Sequence, residues 1–163
     1  MQGIFGPSFD YYAIRERRRE LVRERLAQYG LEKKPGVEET LRFLRAKGIK
    51  TAVATATALD ITKSHLTTIG VCDLFDSIVS AKNVAHGKPE PDVYLYACEQ
   101  IGERPQDCMA VEDSPNGIMA AYRAGLRTVM VPDLTQPDEE LTKYLYACVN
   151  SLSDLCELVD KED

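Results

Sequence analysis

The chain has 163 residues, which bounds it to one domain or one domain with a small attachment, and lets about 70% of its unfolded surface be buried. Hydrophobic residues make up 44%, charged residues 28%, and the net charge is −6, so a phosphate-backbone binder of nucleic acid, which needs a clustered basic surface, is excluded. No apolar run approaches the roughly 18 residues of a membrane span, and Met1–Phe9 has neither the basic start nor the long apolar stretch of a signal peptide.

Asp10–Tyr29 reads as an amphipathic helix, with Ile14, Leu21, Val22, Leu26 and Tyr29 on one stripe and Gly30 placed to end it. The arginines 15, 17, 18, 19, 23 and 25 alternate with Glu16, Glu20 and Glu24, the pattern of a solvated helix face. Lys33-Lys34-Pro35-Gly36 then breaks regularity. From Val37 helices and strands alternate. Helical spacing covers Val37–Lys47 and Leu59–Ile69, each stopped by a glycine, and Ile49–Thr55 and Ser77–Ser80 are β-prone. Pro91–Ile101 is a helix opened by proline. A strand over Cys108–Val111, a helix over Pro115–Ala124 and a strand over Arg127–Val131 follow. Residues near Ala147–Val149 form one more strand and Ser151–Val159 a last helix. Strands separated by helices of about ten residues predict parallel βαβ units with right-handed crossovers. The fold class is therefore α/β, and ligands of such a sheet sit beyond the carboxyl ends of its strands.

Three strand ends carry chemistry. At Thr55-Ala56-Thr57 a hydroxyl and free backbone N–H groups can hold a phosphate oxygen, although a threonine at a strand end is common for β-propensity alone. In His86-Gly87-Lys88-Pro89-Glu90-Pro91-Asp92 two prolines stiffen the loop, so Lys88 can be aimed at a phosphoryl group rather than waving in water as most surface lysines do. In Val111-Glu112-Asp113-Ser114-Pro115-Asn116-Gly117 two adjacent carboxylates repel unless a cation lies near, and magnesium suits carboxylate and phosphate oxygens; helix-capping acids are the plainer reading. Ser114 can cap the helix beginning at Pro115, and Gly117 allows close approach. The cysteines at 72, 98, 108, 148 and 156 are odd in number and lack Cys-x-x-Cys spacing, which points to reduced thiols in a cytoplasmic protein rather than a disulfide framework or zinc site.

The order hydroxyl, lysine, acid pair resembles the haloacid dehalogenase (HAD) superfamily, in its phosphoglycolate-phosphatase-like and β-phosphoglucomutase-like branch. The resemblance runs from about Lys34 to Val131, through Lys34-Pro35-Gly36-Val37, Val53-Ala54-Thr55-Ala56, Asp73–Ser80, Gly87–Asp92, Val111-Glu112-Asp113-Ser114 and Ala121–Leu126. It implies a three-layer α/β/α, Rossmann-like core over residues 35–163, with residues 1–34 as a remnant of a helical cap. It implies that Thr55 and the Ala56 N–H bind the transferring phosphate and that Lys88 balances its charge. It also implies that Glu112 and Asp113 hold magnesium, with Asp113 the surer ligand. The substrate class would be a small phosphorylated metabolite.

The family's first motif, an apolar strand ending in Asp-x-Asp, supplies the attacking carboxylate, and no Asp-x-Asp occurs in the 163 residues. By comparison with the family, about 50 residues are absent at the amino end. This reading makes the chain a truncated form, inactive alone and weakened in magnesium affinity. In the family that strand lies between those ending here at Thr55 and Val111. Its absence predicts closure by direct pairing of the two, invasion by another chain with self-association through unpaired sheet edges, or poor stability. Two other functional readings stand beside the hydrolase. One is a mutase of the same branch, disfavoured by Leu59-Asp60. The other is a catalytically dead phosphate-binding or regulatory module.

Overall fold

The computed structural model describes Gly6 and residues 9–161. The chain divides into two units, Met1–Glu32 and Lys33–Asp163. Lys33 pairs with Glu38 at 2.6 Å and Lys34 with Asp133 at 2.7 Å, both within the second unit.

The first unit holds helix α1, Tyr11–Tyr29. The Asp10 carboxylate accepts from the Ala13 N–H at 2.9 Å, an N-cap, and the Gly30 N–H closes the other end on the Leu26 carbonyl. Arg17 pairs with Glu20 and Glu24, and Arg19 with Glu16. No residue of α1 is buried, and Ile14, Leu21, Val22 and Tyr29 of the anticipated apolar stripe are exposed. A stripe of helical periodicity states which residues can share a neighbour, not that one is at hand.

The second unit contains α2 (Val37–Ala46), β1 (Ala52–Thr55), α3 (Leu59–Thr68), β2 (Ser77–Ser80) and α4 (Asp92–Ile101). It continues with β3 (Met109–Glu112), α5 (Pro115–Arg123), β4 (Arg127–Met130), α6 (Glu139–Thr142), β5 (Ala147–Cys148) and α7 (Asp154–Asp160). Every helix and strand of the sequence reading has its counterpart within a few residues; α6 is additional. It is one turn capped by the Asp138 carboxylate, which accepts from the Leu141 N–H at 2.7 Å. At the entry to α2, Gly36 has φ +80° and a Cβ there would lie 2.9 Å from the Ser153 backbone nitrogen, so the turn and the packing of α2 near α7 both require glycine.

All strand pairs are parallel, but they form two ladders: β1–β2, and β3–β4–β5. The Thr51 carbonyl accepts from β2, so alternation turns Ala52 and Ala54 to the other edge of β1. The Cys108 carbonyl accepts from Arg127 of β4 and the Glu112 carbonyl from Val131 just beyond it, which turns Met109 and Val111 to the other edge of β3, unpaired among the described residues. Direct pairing of β1 with β3, one of the outcomes expected from the sequence, does not occur among the described residues. Burial follows the same division. Thr128, Val129 and Met130 of β4 are all buried, as in a strand covered on both faces, whereas β1 is half-buried throughout and Val111 is 40% exposed.

The two ladders share one core. α4 buries Val93, Tyr94, Ala97 and Cys98, a one-sided helical stripe, against Val79, Ala110 and the alanines 120, 121 and 124 of the α5 segment. Small residues on α5 let the two helices approach closely. Ile118, on another side of α5, packs with Met130 and Leu141. All five cysteines are free. Burial, with a hydrogen bond to Cys108, pushes the Cys98 thiol up to about 12. A folded value above the unfolded one, about 8.5, means that the neutral thiol's contribution is fully present below that pH and is lost as pH rises towards 12. Urea midpoints should therefore fall above about pH 9, and Cys98→Ala, though less stable at pH 7, should fall less steeply over that window.

Candidate functional site

The lysine loop is fixed at both ends. Asp92 at the start of α4 accepts from the His86 N–H and approaches the His86 ring, each at 3.1 Å. Arg123 of α5 donates to the Pro89 carbonyl and to Glu90, each at 3.0 Å. The Lys88–Pro89 peptide is cis. Lys88 itself is 16% exposed, and its ammonium donates to the Ala54 carbonyl at 3.0 Å and to Glu112 Oε1 at 2.5 Å. Ala54 lies on the edge of β1 away from β2 and Glu112 ends β3, so this one side chain joins the carboxyl ends of the two ladders.

The turn after β1 is also held. The Thr55 hydroxyl accepts from the Thr57 N–H at 3.1 Å, and the buried Ser80 hydroxyl donates to the Thr57 carbonyl at 2.7 Å. Thr55 is half-buried and Ala56 exposed, and the Lys88 ammonium bonds the carbonyl of Ala54 next to them. Ser80 is a member of the site that the sequence reading did not single out.

The acid pair separates. Glu112 turns inward, 8% exposed, and its carboxylate collects four donors. Oε1 accepts from Lys88 and from the Tyr94 hydroxyl; Oε2 accepts from the Ser114 hydroxyl at 3.2 Å and the Asp113 N–H at 3.3 Å. A carboxylate has about four lone-pair sites, so this one is filled. Burial and the Glu112 charge push the Tyr94 phenol well above the usual tyrosine range. Asp113 is exposed. The cation that relieves Glu112 is thus Lys88. Glu112 and Asp113 as placed do not fit a shared divalent cation, and no cluster of three metal-ligating side chains occurs among the described residues. Of the sequence-derived candidates, the structure brings together Lys88, Glu112 and the strand end that carries Thr55; Asp113 makes no contact with Lys88.

Tyr94 and Gly117 complete the arrangement. The Tyr94 ring centroid lies 4.9 Å from the Lys88 nitrogen. A Cβ on Gly117 would meet Glu112 Oε2 at 2.0 Å, so the glycine makes room for the carboxylate. The sequence held a signal for Tyr94: a phenol within the buried stripe of α4 needs an acceptor.

Comparison with known proteins identifies relatives of the chain. Hexitol phosphatase B of Escherichia coli is 33% identical over 128 residues, covering 78% of this chain and 56% of that protein. A crystal structure of β-phosphoglucomutase from Clostridium difficile superposes with a TM-score of 0.68 at 27% identity, covering 79% of this chain and 55% of that one. CbbY from Rhodobacter sphaeroides, solved in complex with phosphate, gives a TM-score of 0.68 at 32% identity over 75% of this chain and 55% of its own. The chain thus spans little more than half the length of these relatives. No helix among the described residues is long and apolar enough to cross a membrane. A family model described as haloacid dehalogenase-like hydrolase matches residues 3–131, and with the parallel α/β core and the loop that carries Lys88 it settles the classification: the chain belongs to the haloacid dehalogenase-like hydrolase family.

Proposed function

We propose that this chain carries the phosphate-binding and charge-balancing part of a phosphohydrolase of small phosphorylated metabolites, and that alone it does not turn over. The observation that carries the reading is the Lys88 ammonium fixed beside the open Thr55–Ala56 turn. Thr55 and the Ala56 N–H take phosphate oxygens, and Lys88 neutralises the charge they bring. Phosphoryl transfer also needs an in-line nucleophile, and no Asp-x-Asp is present to supply it. Hydrolase is favoured over mutase because Leu59-Asp60, after the turn, departs from the polar pattern of the mutases. The name of hexitol phosphatase B and the phosphate in the CbbY structure support the substrate class. Free thiols fit a reducing, cytoplasmic setting.

Magnesium enters this reading through Asp113, the exposed acid. One free carboxylate gives a weak site, so millimolar magnesium should leave the thermal midpoint of the chain within about 1 °C of its metal-free value. The edges of β1 and β3 that are unpaired among the described residues give the chain a route to self-association, read as a concentration-dependent sedimentation coefficient.

The direct test is p-nitrophenyl phosphate hydrolysis with magnesium, alongside inorganic phosphate binding by calorimetry. The expected result is phosphate binding that is lost in Lys88→Ala, with no turnover. Turnover that disappears in Lys88→Ala and Asp113→Ala would refute the inactivity. Absence of phosphate binding would refute the pocket.

A further inference from the structure

We propose that Tyr94 is a positioning residue for Lys88, acting through Glu112; the inference rests on the phosphate-binding reading only for its functional meaning. Tyr94 touches both members of the buried ion pair. Its hydroxyl donates to Glu112 Oε1, the same oxygen that takes the Lys88 ammonium, and its ring face lies beneath that ammonium at 4.9 Å. It stands 6% exposed in the stripe of α4 that packs on the shared core with Val79, Ala110 and the alanines of α5, so its own position is set by that core rather than by solvent.

The consequence is directional. A lysine has four rotatable stem bonds, and a carboxylate alone holds an ammonium as a point charge without fixing its direction. Here Glu112 is itself fixed, by Ser114 and the Asp113 N–H on one oxygen and by Tyr94 on the other. With carboxylate and ring both immobile, the ammonium has a third direction left, and the Ala54 carbonyl at 3.0 Å occupies it. That direction leads to the end of β1, where Thr55 and Ala56 would present an anion. Without the hydroxyl, Glu112 keeps its other donors but gains a free lone pair, and Lys88 can follow it away from β1.

The test reads the lysine itself. Trace acylation with acetic anhydride, followed by mass spectrometry, gives the reactivity of Lys88 relative to Lys50, which is held separately by Glu103 at 2.7 Å. Tyr94→Phe keeps ring and volume and should raise the Lys88-to-Lys50 ratio by about threefold or more, the size expected for loss of one charge-assisted hydrogen bond in a network. In a Glu112→Gln background the same change should add nothing. Cys98→Ala, which removes a core side chain from the same helix, should lower stability and leave the ratio alone. An unchanged ratio in Tyr94→Phe, an equal rise in Cys98→Ala, or a Tyr94→Phe chain that does not fold would each overturn the proposal. Millimolar inorganic phosphate should protect Lys88 in the wild type, with half-protection needing about threefold more phosphate in Tyr94→Phe. Failure of protection in the wild type would overturn the phosphate reading, while the two ratios still decide the role of Tyr94.

Discussion

Lys88→Ala is expected to destabilise the chain by about 3–5 kcal/mol, the range for removing one partner of a buried ion pair. Lys88 and Glu112 are 16% and 8% exposed, so solvent screens the pair little. The ammonium also binds the Ala54 carbonyl, and this is a tie between the β1–β2 ladder and the β3–β4–β5 ladder. Its loss leaves a carboxylate buried with three neutral donors and removes the link between the two ladders. Two changes in one molecule separate these contributions. Lys88→Met with Glu112→Gln removes both charges while keeping volume, and should recover more than half of the loss because no buried charge is left without a partner. Urea unfolding followed by circular dichroism measures all three chains. A loss below about 1 kcal/mol in Lys88→Ala would mean that the pair behaves as an exposed one and that the ladders are held together elsewhere.

Most of the elements were legible because the signals for them are local. Gly30, Gly48, Gly70 and Gly125 end helical or turn segments by entering the left-handed region, and Pro115 with Ser114 starts α5. α6 was missed although Asp138 signals an N-cap, because a four-residue turn has no apolar period to find. Of the candidate site, the sequence named Thr55, Lys88 and the acid pair but not their pairing. Glu112 ends β3 and Asp113 lies just beyond it, so local sequence does not say where the second carboxylate goes. What the sequence could not supply was the partner. Lys88 lies 24 positions from Glu112 and Tyr94 lies 18, and only the packing of α4 under both ladders brings the three together. The separation of the ladders is a property of long-range pairing, which local periods do not contain; the family resemblance, through the absent Asp-x-Asp strand, was what pointed to unpaired edges at β1 and β3.

Gly117→Ala supplies the second large effect, and its sign is the informative part. Gly117 lies in the first turn of a helix, where alanine is intrinsically better by about 1 kcal/mol. Its backbone does not need the left-handed region, and its N–H donates to the Ser114 cap at 3.2 Å, which alanine would preserve. Propensity alone therefore predicts stabilisation. Against it stands the new methyl, 2.0 Å from Glu112 Oε2 and 2.1 Å from its carboxyl carbon. A side-chain tip can move aside cheaply when it is loose, but this one is held by Lys88, Tyr94, Ser114 and the Asp113 N–H. Displacing it breaks the buried pair, at roughly the 3–5 kcal/mol of that class, so the net expectation is a loss of about 2–4 kcal/mol. In a Glu112→Ala background the obstacle is gone and only the propensity gain remains. Gly117→Ala should then stabilise by up to about 1 kcal/mol, a reversal of sign between the two backgrounds. The same two backgrounds can be read by Lys88 acylation, which should rise with Gly117→Ala only while Glu112 is present. A loss of equal size with and without Glu112 would show that the methyl collides with the helix environment at large, and that the carboxylate is not what the glycine accommodates.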